Sequence, residues 1–483
     1  MREDWTECCF EDILDYEQPT KYIVNSTDYN DAYKMPVLTA GKSFIKGYTN
    51  ETEGIFENLP TIIFDDFTTA SQYVDFKFKV KSSAMKILVP TSKLVNMRFA
   101  FYCMQVNQIR NDTHKRYWIS VYAKKKFLLP SLVEQKAIIS KIEELFSDLD
   151  KGIDDLKKAK DQLVIYRQAV LKKAFEGELT KEWREKQINL PSVDELIKQI
   201  KVEREKHYKQ QIEDWKKEVK VWEQNGEKGL KPIKPKSLKL VNSLKEDDIK
   251  KLISIPKVWK YHYLAYAGDL GRGKSKHRPR NDKRLFGGPY PFFQTSEVKA
   301  QEIISSYTQT YSEFGLKQSK LWPAGTLCIT IAANIAETGF LGIDACFPDS
   351  IVGYTPYESI IDIKYIDYFF QSAKRRISAY APATAQKNIN LTTLENLLVP
   401  YCSKNEQGQV VKEIESRLSI CEKVEQSIND SLEKAKALRQ SILKKAFEGK
   451  LLSAAEIARC KKETDYESAS VLLAKIKVDK KNK

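Results

Sequence analysis

Apolar residues recur at seven-residue spacing over two long stretches of this 483-residue chain, and the two stretches are copies of one another. In the first, Ile142, Leu149, Leu156, Leu163 and Val170 fall seven apart, with Leu145, Gly152, Ala159 and Tyr166 between them. That spacing predicts a long helix with a coiled-coil seam. In the second, Ile414, Cys421, Ile428, Ala435 and Ile442 alternate with Arg417, Val424, Ser431 and Leu438, a more polar stripe expected to pack more weakly. Gln135 to Leu179 aligns without a gap on Gln407 to Leu451, each partner 272 positions further along. Both copies close on the same words, Lys172-Lys173-Ala174-Phe175-Glu176-Gly177 and Lys444-Lys445-Ala446-Phe447-Glu448-Gly449. A helix of this length spans roughly 60 Å and needs a partner along its seam. The other copy is the obvious one, paired antiparallel about a pseudo-dyad. A dimerisation coil in an unrelated protein would show the same period.

Between the helical stretches the period changes. Thr61-Ile62-Ile63-Phe64 and Tyr73-Val74-Asp75-Phe76-Lys77-Phe78 read as strands, and Leu327-Cys328-Ile329-Thr330-Ile331-Ala332 reads as a buried one. A charged amphipathic stretch with Leu196, Ile197 and Ile200 leads to the linker Lys231-Pro232-Ile233-Lys234-Pro235, and Ile255 to Trp259 echoes the Asp4-Trp5 opening. The order is globe, helix, linker, globe, helix. The expected class is α+β: two mixed α/β globes, 1–133 and 255–405, and two long helices, 134–179 and 406–451, packed as an antiparallel coiled coil with pseudo-twofold symmetry. A helical, basic linker (180–254) and a basic tail (452–483) complete the plan. The tail repeats the apolar spacing of Leu196 to Ile200 in Leu472 to Ile476 and is expected to pack beside the first globe.

Charge narrows the partner. With 80 Lys and Arg against 65 Asp and Glu the chain carries a net +15, which favours a polyanion. Much of the excess lies between Lys198 and Lys251 and after Lys475, where a solvated helix would look the same. Eight cysteines without a CxxC pair and four scattered histidines argue against metal sites and a disulfide framework. No run of 18 apolar residues and no apolar leader occurs, so a cytoplasmic location and no membrane contact are expected.

The densest candidate site is Gly271 to Arg284, in which seven of fourteen residues are Lys or Arg. Arg272, Lys274, Lys276, His277, Arg278, Arg280 and Asn281 are candidate DNA contacts there, since Arg can pair with guanine and Asn with adenine. Gln294 and Thr295 follow a Tyr290-Phe292-Phe293 run that also reads as a half-buried strand. In the first globe the comparable segment offers Thr39, Lys42, Ser43, Lys46, Tyr48 and Asn50, on what is otherwise a plain hairpin. Gly268 and Gly273-Lys274-Ser275 also spell the phosphate-loop pattern GxxxxGK[ST], but a true loop opens into a helix, and Pro279 with a dense positive run is a poor helix start. Asp65-Asp66 has no third carboxylate or lysine at nuclease-like spacing and reads as structural, and no catalytic arrangement is found. Two other classes remain: a coiled-coil adaptor binding nucleic acid, and a nucleotide-binding enzyme using Gly268 to Ser275.

These residues together resemble a type I restriction-modification specificity subunit over the whole chain. The resemblance rests on the twin helices ending in Lys-Lys-Ala-Phe-Glu-Gly, on Leu129-Pro130-Ser131 with Glu134-Gln135, and on Leu398-Val399-Pro400 with Glu406-Gln407. It rests also on Ala385-Gln386-Lys387-Asn388-Ile389, which adds Gln386 and Lys387 as candidate DNA contacts, and on the basic loop. The first copy departs from this pattern, with Lys115-Arg116-Tyr117-Trp118-Ile119 in place of the Gln-Lys segment. The resemblance implies two target recognition domains, each reading half of a split double-stranded DNA site, and helices that set the spacing and dock two methyltransferase subunits. Motor and nuclease subunits would join the assembled complex. S-adenosylmethionine, ATP and magnesium would be held by those partners, with no cofactor and no catalysis in this subunit.

Overall fold

The computed structural model describes residues 2–41, 43–107, 116–227, 231–235, 237–238, 244, 252–299, 303–332, 334–379 and 389–482. The chain divides into two compact units, Met1–Ala159 with Ser427–Lys483, and Lys160–Gln426. Both divisions fall inside the long helices Leu132–Phe175 and Lys404–Phe447, each 44 residues. Each unit therefore holds the start of one helix and the end of the other.

The two helices begin in the same way. The strand before each, Lys126–Leu129 or Leu398–Tyr401, pairs antiparallel with a strand at the front of its globe, Thr6–Cys9 or Lys260–Tyr263. Ser131 and Ser403 hydroxyls then accept from the backbone N–H of Glu134 and Glu406, both at 3.3 Å, which satisfies one of the orphan donors of a helix start. Gln135 and Gln407 turn back, each donating from Nε2 at 2.9 Å to the carbonyl of Pro130 or Cys402. Each glutamate receives an arginine: Arg2 Nη1 lies 2.9 Å from Glu134 Oε1, and Arg184 Nε lies 2.8 Å from Glu406 Oε1. The same guanidinium groups lie over Trp5 and Trp259, at 5.7 and 5.6 Å.

The repeated closing words are explained by the helix ends. Gly177 and Gly449 adopt φ of +74° and +72°, which a residue with a side chain adopts only under strain. Their N–H groups donate to Ala174 and Ala446, and the N–H groups of Glu178 and Lys450 reach back to Lys173 and Lys445, the paired bonds of a Schellman cap. Ala174, Phe175 and Ala446 are buried, with Phe175 against Tyr365 and Phe369 at 5.1 and 5.5 Å.

The helices run antiparallel within each unit. In the first, Arg439 on the second helix pairs with Asp150 at 2.7 Å and covers the Phe146 ring at 4.2 Å, while Ile442 and Ala446 share a core with Ile138 and Ile142. In the second, Glu425 meets Arg167 at 2.9 Å and Lys160 at 3.7 Å, while Leu171 and Phe175 share a core with Val410 and Ile414. The stripe Ile142, Leu149, Leu156, Leu163, Val170 faces inward as expected, and its companion does so only in part, at Leu145 and Ala159. Phe146, Ile153, Lys160, Arg167 and Ala174 flank it, whereas Gly152 and Tyr166 are exposed. The second copy follows suit, with Leu418, Glu425, Leu432, Arg439 and Ala446 inward and Val424 and Leu438 exposed. Cys421, Ile428 and Ala435 are nonetheless buried, so the stripe expected to pack more weakly lies deeper than Leu149, Leu156 and Leu163.

The globes share this frame and differ within it. The first holds a four-stranded antiparallel sheet in the order Leu14–Glu17, Met85–Pro90, Thr61–Asp65, Ser71–Val74. A three-stranded sheet is centred on Met35–Leu38, beside Ile45–Thr49 and Lys79–Val80. The run Tyr73 to Phe78 is not one strand, because the chain leaves the first sheet after Val74 and joins the second at Lys79. The second globe has one five-stranded sheet, in the order Gly268–Arg272, Ile351–Pro356, Leu327–Thr330, Thr338–Leu341, Ile303–Ile304. Its central strand Leu327–Thr330 is buried throughout.

Two amphipathic helices complete the cores. Val193–Gln224 places Leu196 and Ile200 in the second unit, and its Trp222 and Trp215 rings carry Lys231 and Lys234 at 5.3 and 5.8 Å. Some of the linker's positive charge is thus spent on packing. Ala469–Lys481 places Leu472, Leu473 and Ile476 in the first unit's core beside Phe10 and Ile13, with Lys477 3.2 Å from Asp12. The tail packs where its apolar spacing predicts.

Two outcomes are expected. Phe175→Ala should destabilise the second unit by about 3–5 kcal/mol, and Phe447→Ala, which empties a half-buried site, should cost the first unit less. Hydrogen exchange reads each unit separately, and equal costs would contradict the packing. His262, stacked on Tyr266 at 3.8 Å and accepting the Tyr263 N–H on Nδ1 at 2.8 Å, is held down to about 4 by burial, with Arg204 and Lys260 adding to it. Between about 6.5 and 4 the unfolded chain takes a proton that the folded ring refuses, so stability is full above this window and lost as pH falls through it. His262→Phe should flatten that slope in urea melts run across the window.

Candidate nucleic-acid interface

The basic loop leaves the edge strand Gly268–Arg272 and runs without regular structure to a short 3-10 turn at Lys283–Leu285. The phosphate-loop reading fails here: no helix follows Ser275, and the Gly273 N–H donates to the Ile351 carbonyl at 2.9 Å instead of facing outward. A Cβ on Gly273 would lie 2.2 Å from the Pro348 carbonyl, so this glycine serves close packing against the sheet.

The cations of the loop fall into two groups. Lys274 and Lys276 are exposed and, among the described residues, have no ion-pair partner; Arg278 donates only to the Ser275 and His277 carbonyls, at 2.7 and 2.9 Å. Lys283 is likewise exposed with no ion-pair partner among the described residues, and the others are held. Arg272 donates through Nε to the Asp349 carbonyl, and Arg280 Nη2 lies 3.1 and 3.2 Å from the two Asp349 carboxylate oxygens. His277 Nε2 meets Asp282 Oδ2 at 2.7 Å, and the same carboxylate takes Arg284. Hydrogen bonds from the Arg284 side chain, then from its backbone and from His277, hold the Asp282 carboxyl well below the usual carboxylate range. Asn281 is exposed beside them.

Beyond the 3-10 turn the strand Phe286–Phe292 pairs with Gln309–Tyr311, and both Phe292 and Phe293 are buried. Gln294 is exposed with its amide donating to Gln309 Oε1 at 2.9 Å, and Thr295 opens a 3-10 turn. Two cations that the spacing did not single out belong to the same surface. Lys320 lies 3.5 Å above the Trp322 ring, its ammonium pushed below the usual lysine range by burial and by Lys274. Arg284 covers Phe314 at 5.2 Å.

In the first unit, Met35–Leu38 and Ile45–Thr49 form the hairpin the sequence predicts. Thr39 Oγ1 donates to the Ser43 carbonyl at 3.0 Å, which closes the tip. Ser43, Lys46 and Asn50 are exposed and Tyr48 is half-buried, so this edge presents hydroxyl, amide and ammonium groups, and among the described residues no carboxylate holds Lys46. Lys42, Gln386 and Lys387 lie outside the described residues. Asp65 and Asp66 are structural: Asp65 Oδ1 accepts from the Phe67 and Thr68 N–H at 2.8 and 3.0 Å, and Asp66 Oδ1 from Trp118 N–H at 2.8 Å. Among the described residues no helix is long and apolar enough to cross a membrane.

The family model for the type I restriction modification DNA specificity domain matches residues 2–160 and 266–434. The specificity subunit of the type I restriction enzyme EcoR124I/EcoR124II of Escherichia coli is 28% identical over 417 residues, 83% of this chain and 83% of that relative. A chain solved in work on complex assembly and conformational transition of the type I R-M system shares the fold with a TM-score of 0.60 at 14% identity, covering 93% of this chain and 99% of its own. The HsdS subunit from Thermoanaerobacter tengcongensis has a TM-score of 0.51 at 14% identity, covering 93% and 98%.

Proposed function

The chain belongs to the type I restriction-modification DNA specificity family, and from that premise we propose that its two globes read the two unlike halves of one gapped duplex DNA site. It is the specificity subunit of such a system. One observation supports the division of labour: both units repeat the same Ser-x-x-Glu-Gln entry, Arg–Glu–Trp node and glycine-capped exit, while the sheets mounted on that frame differ. A repeated frame suits repeated partners, and unlike sheets suit unlike sequences.

In this reading Lys274, Lys276 and Arg278 contact phosphates in one half-site, with Arg272, Arg280, Asn281, His277, Gln294 and Thr295 available to bases or sugars. Gln386 and Lys387, where the chain is not described, belong to the same globe and the same half-site. Thr39, Lys42, Ser43, Lys46, Tyr48 and Asn50 serve the other. Two methyltransferase subunits dock along the long helices, whose Ile165 and Ile420 are exposed, and motor subunits join through that assembly. S-adenosylmethionine, ATP and magnesium enter with those partners. No catalytic residue is assigned to this chain.

Replacing Lys274 and Lys276 together by Ala should weaken binding to all duplexes alike and lower the slope of log affinity against log salt by about two. An unchanged slope would remove the loop from the interface. Deleting one heptad at matching positions of both helices shortens each by about 10 Å, the length of about three base pairs. The selected gap should shorten by about that much with both half-sites intact; altered half-sites would contradict a spacer role.

A further inference from the structure

The held cations of the second unit differ in kind from its free ones, and one of them is fixed from three sides. Arg284 Nη2 donates to Asp282 Oδ2 at 2.7 Å and Nε lies 3.2 Å from each carboxylate oxygen, so the carboxylate occupies the side of the guanidinium between Nε and Nη2. Its own backbone N–H caps Asp282 Oδ1 at 3.0 Å, and its plane covers Phe314 at 5.2 Å. Asp282 is in turn held by His277 at 2.7 Å, whose ring meets Phe314 edge-on at 5.2 Å. The Arg284 side chain is nevertheless 70% exposed, and the end formed by Nη1 and the second Nη2 hydrogen has no partner among the described residues.

We propose that Arg284, aimed by Asp282 and Phe314, is a specificity-determining residue that reads a guanine in the second unit's half-site through the open end of its guanidinium. The proposal rests on the DNA-reading role above and deepens it. Two parallel N–H donors match the O6 and N7 acceptors of guanine in the major groove. A carboxylate beside them works against phosphate, because Asp282 repels an anion while leaving a neutral base edge attractive. Lys274 and Lys276 lack such a neighbour and suit phosphate for the same reason. Fixing a long side chain before contact also removes most of the rotamer entropy that binding would otherwise cost. Asp282 is a positioning residue here and touches no base.

The test is selection from a randomised duplex library by the full-length chain, with the salt slope measured on the selected site. Wild type should select a gapped motif with a guanine in one half. Arg284→Lys keeps the charge and the reach to Asp282 but loses the paired donors; it should lower discrimination at that one base pair about ten- to a hundredfold and leave every other position and the salt slope unchanged. Asp282→Asn should also blur that position and raise the slope by about one, as the released arginine turns to phosphate. An unchanged motif with Arg284→Lys, or a uniform loss of affinity without loss of the guanine, overturns the role of Arg284 alone. Failure of the wild type to select any motif overturns the DNA-reading role itself.

Discussion

A buried carboxylate at the start of each long helix is the contact on which both units depend. Glu134 and Glu406 are almost entirely removed from water, and a carboxylate in that position is tolerated only with a cation or several donors around it. Burial raises the Glu134 carboxyl above its ordinary range while Arg2 pulls it down. Glu406 has Arg184 at 2.8 Å and the Thr180 hydroxyl at 2.9 Å. The requirement draws in chain from elsewhere: the opening residues in one unit, the segment after the first helix in the other. Because Arg184 also donates to the Gly177 carbonyl at 2.6 Å, the start of one helix, the end of the other and the tryptophan of the globe become one structure.

Along the seam the polar pairs set the register. An apolar stripe of period seven is nearly indifferent to a slip of one heptad, since each residue finds a similar neighbour. Arg167 facing Glu425 is not, because a slip either way would set its guanidinium against Leu418 or Leu432, and Arg439, which faces Asp150, would meet Lys157 in one direction. Both arginines are partly exposed, so their direct contribution to stability is small, and their effect lies in selecting one alignment.

The architecture was legible because it is written twice. Helix boundaries, the hairpin at Met35–Thr49 and the docking tail all follow from local signals that one chain carries unaided. What failed was phase. The stripe that starts at Ile142 is fixed by its spacing of seven, but whether the companion stripe lies three or four residues away depends on where the partner helix sits, and so Phe146 lies deeper than Leu145 and Ile153 turns inward where Gly152 is exposed. The Arg–Glu nodes were invisible for a related reason: Glu134 and Glu406 occupy repeated positions, whereas Arg2 and Arg184 do not, and each arrives through the tertiary fold. Tyr73 to Phe78 misled because alternation is preserved while the chain changes sheets.

The basic loop was visible as charge and opaque as chemistry. Counting cations treats Lys274 and Arg284 alike, yet among the described residues one has no ion pair and the other is matched to a carboxylate and an aromatic face. A net charge of +15 brings a duplex close and holds it in a salt-dependent way, with no preference for sequence. Preference requires groups that are electrically restrained and geometrically fixed, so that a base edge gains more than a phosphate does. In the loop Asp282 and Asp349 hold Arg284 and Arg280, two anions within a region whose composition suggests only attraction to anions. On the proposed reading, the negative residues of this basic surface are the ones that separate reading from mere adhesion.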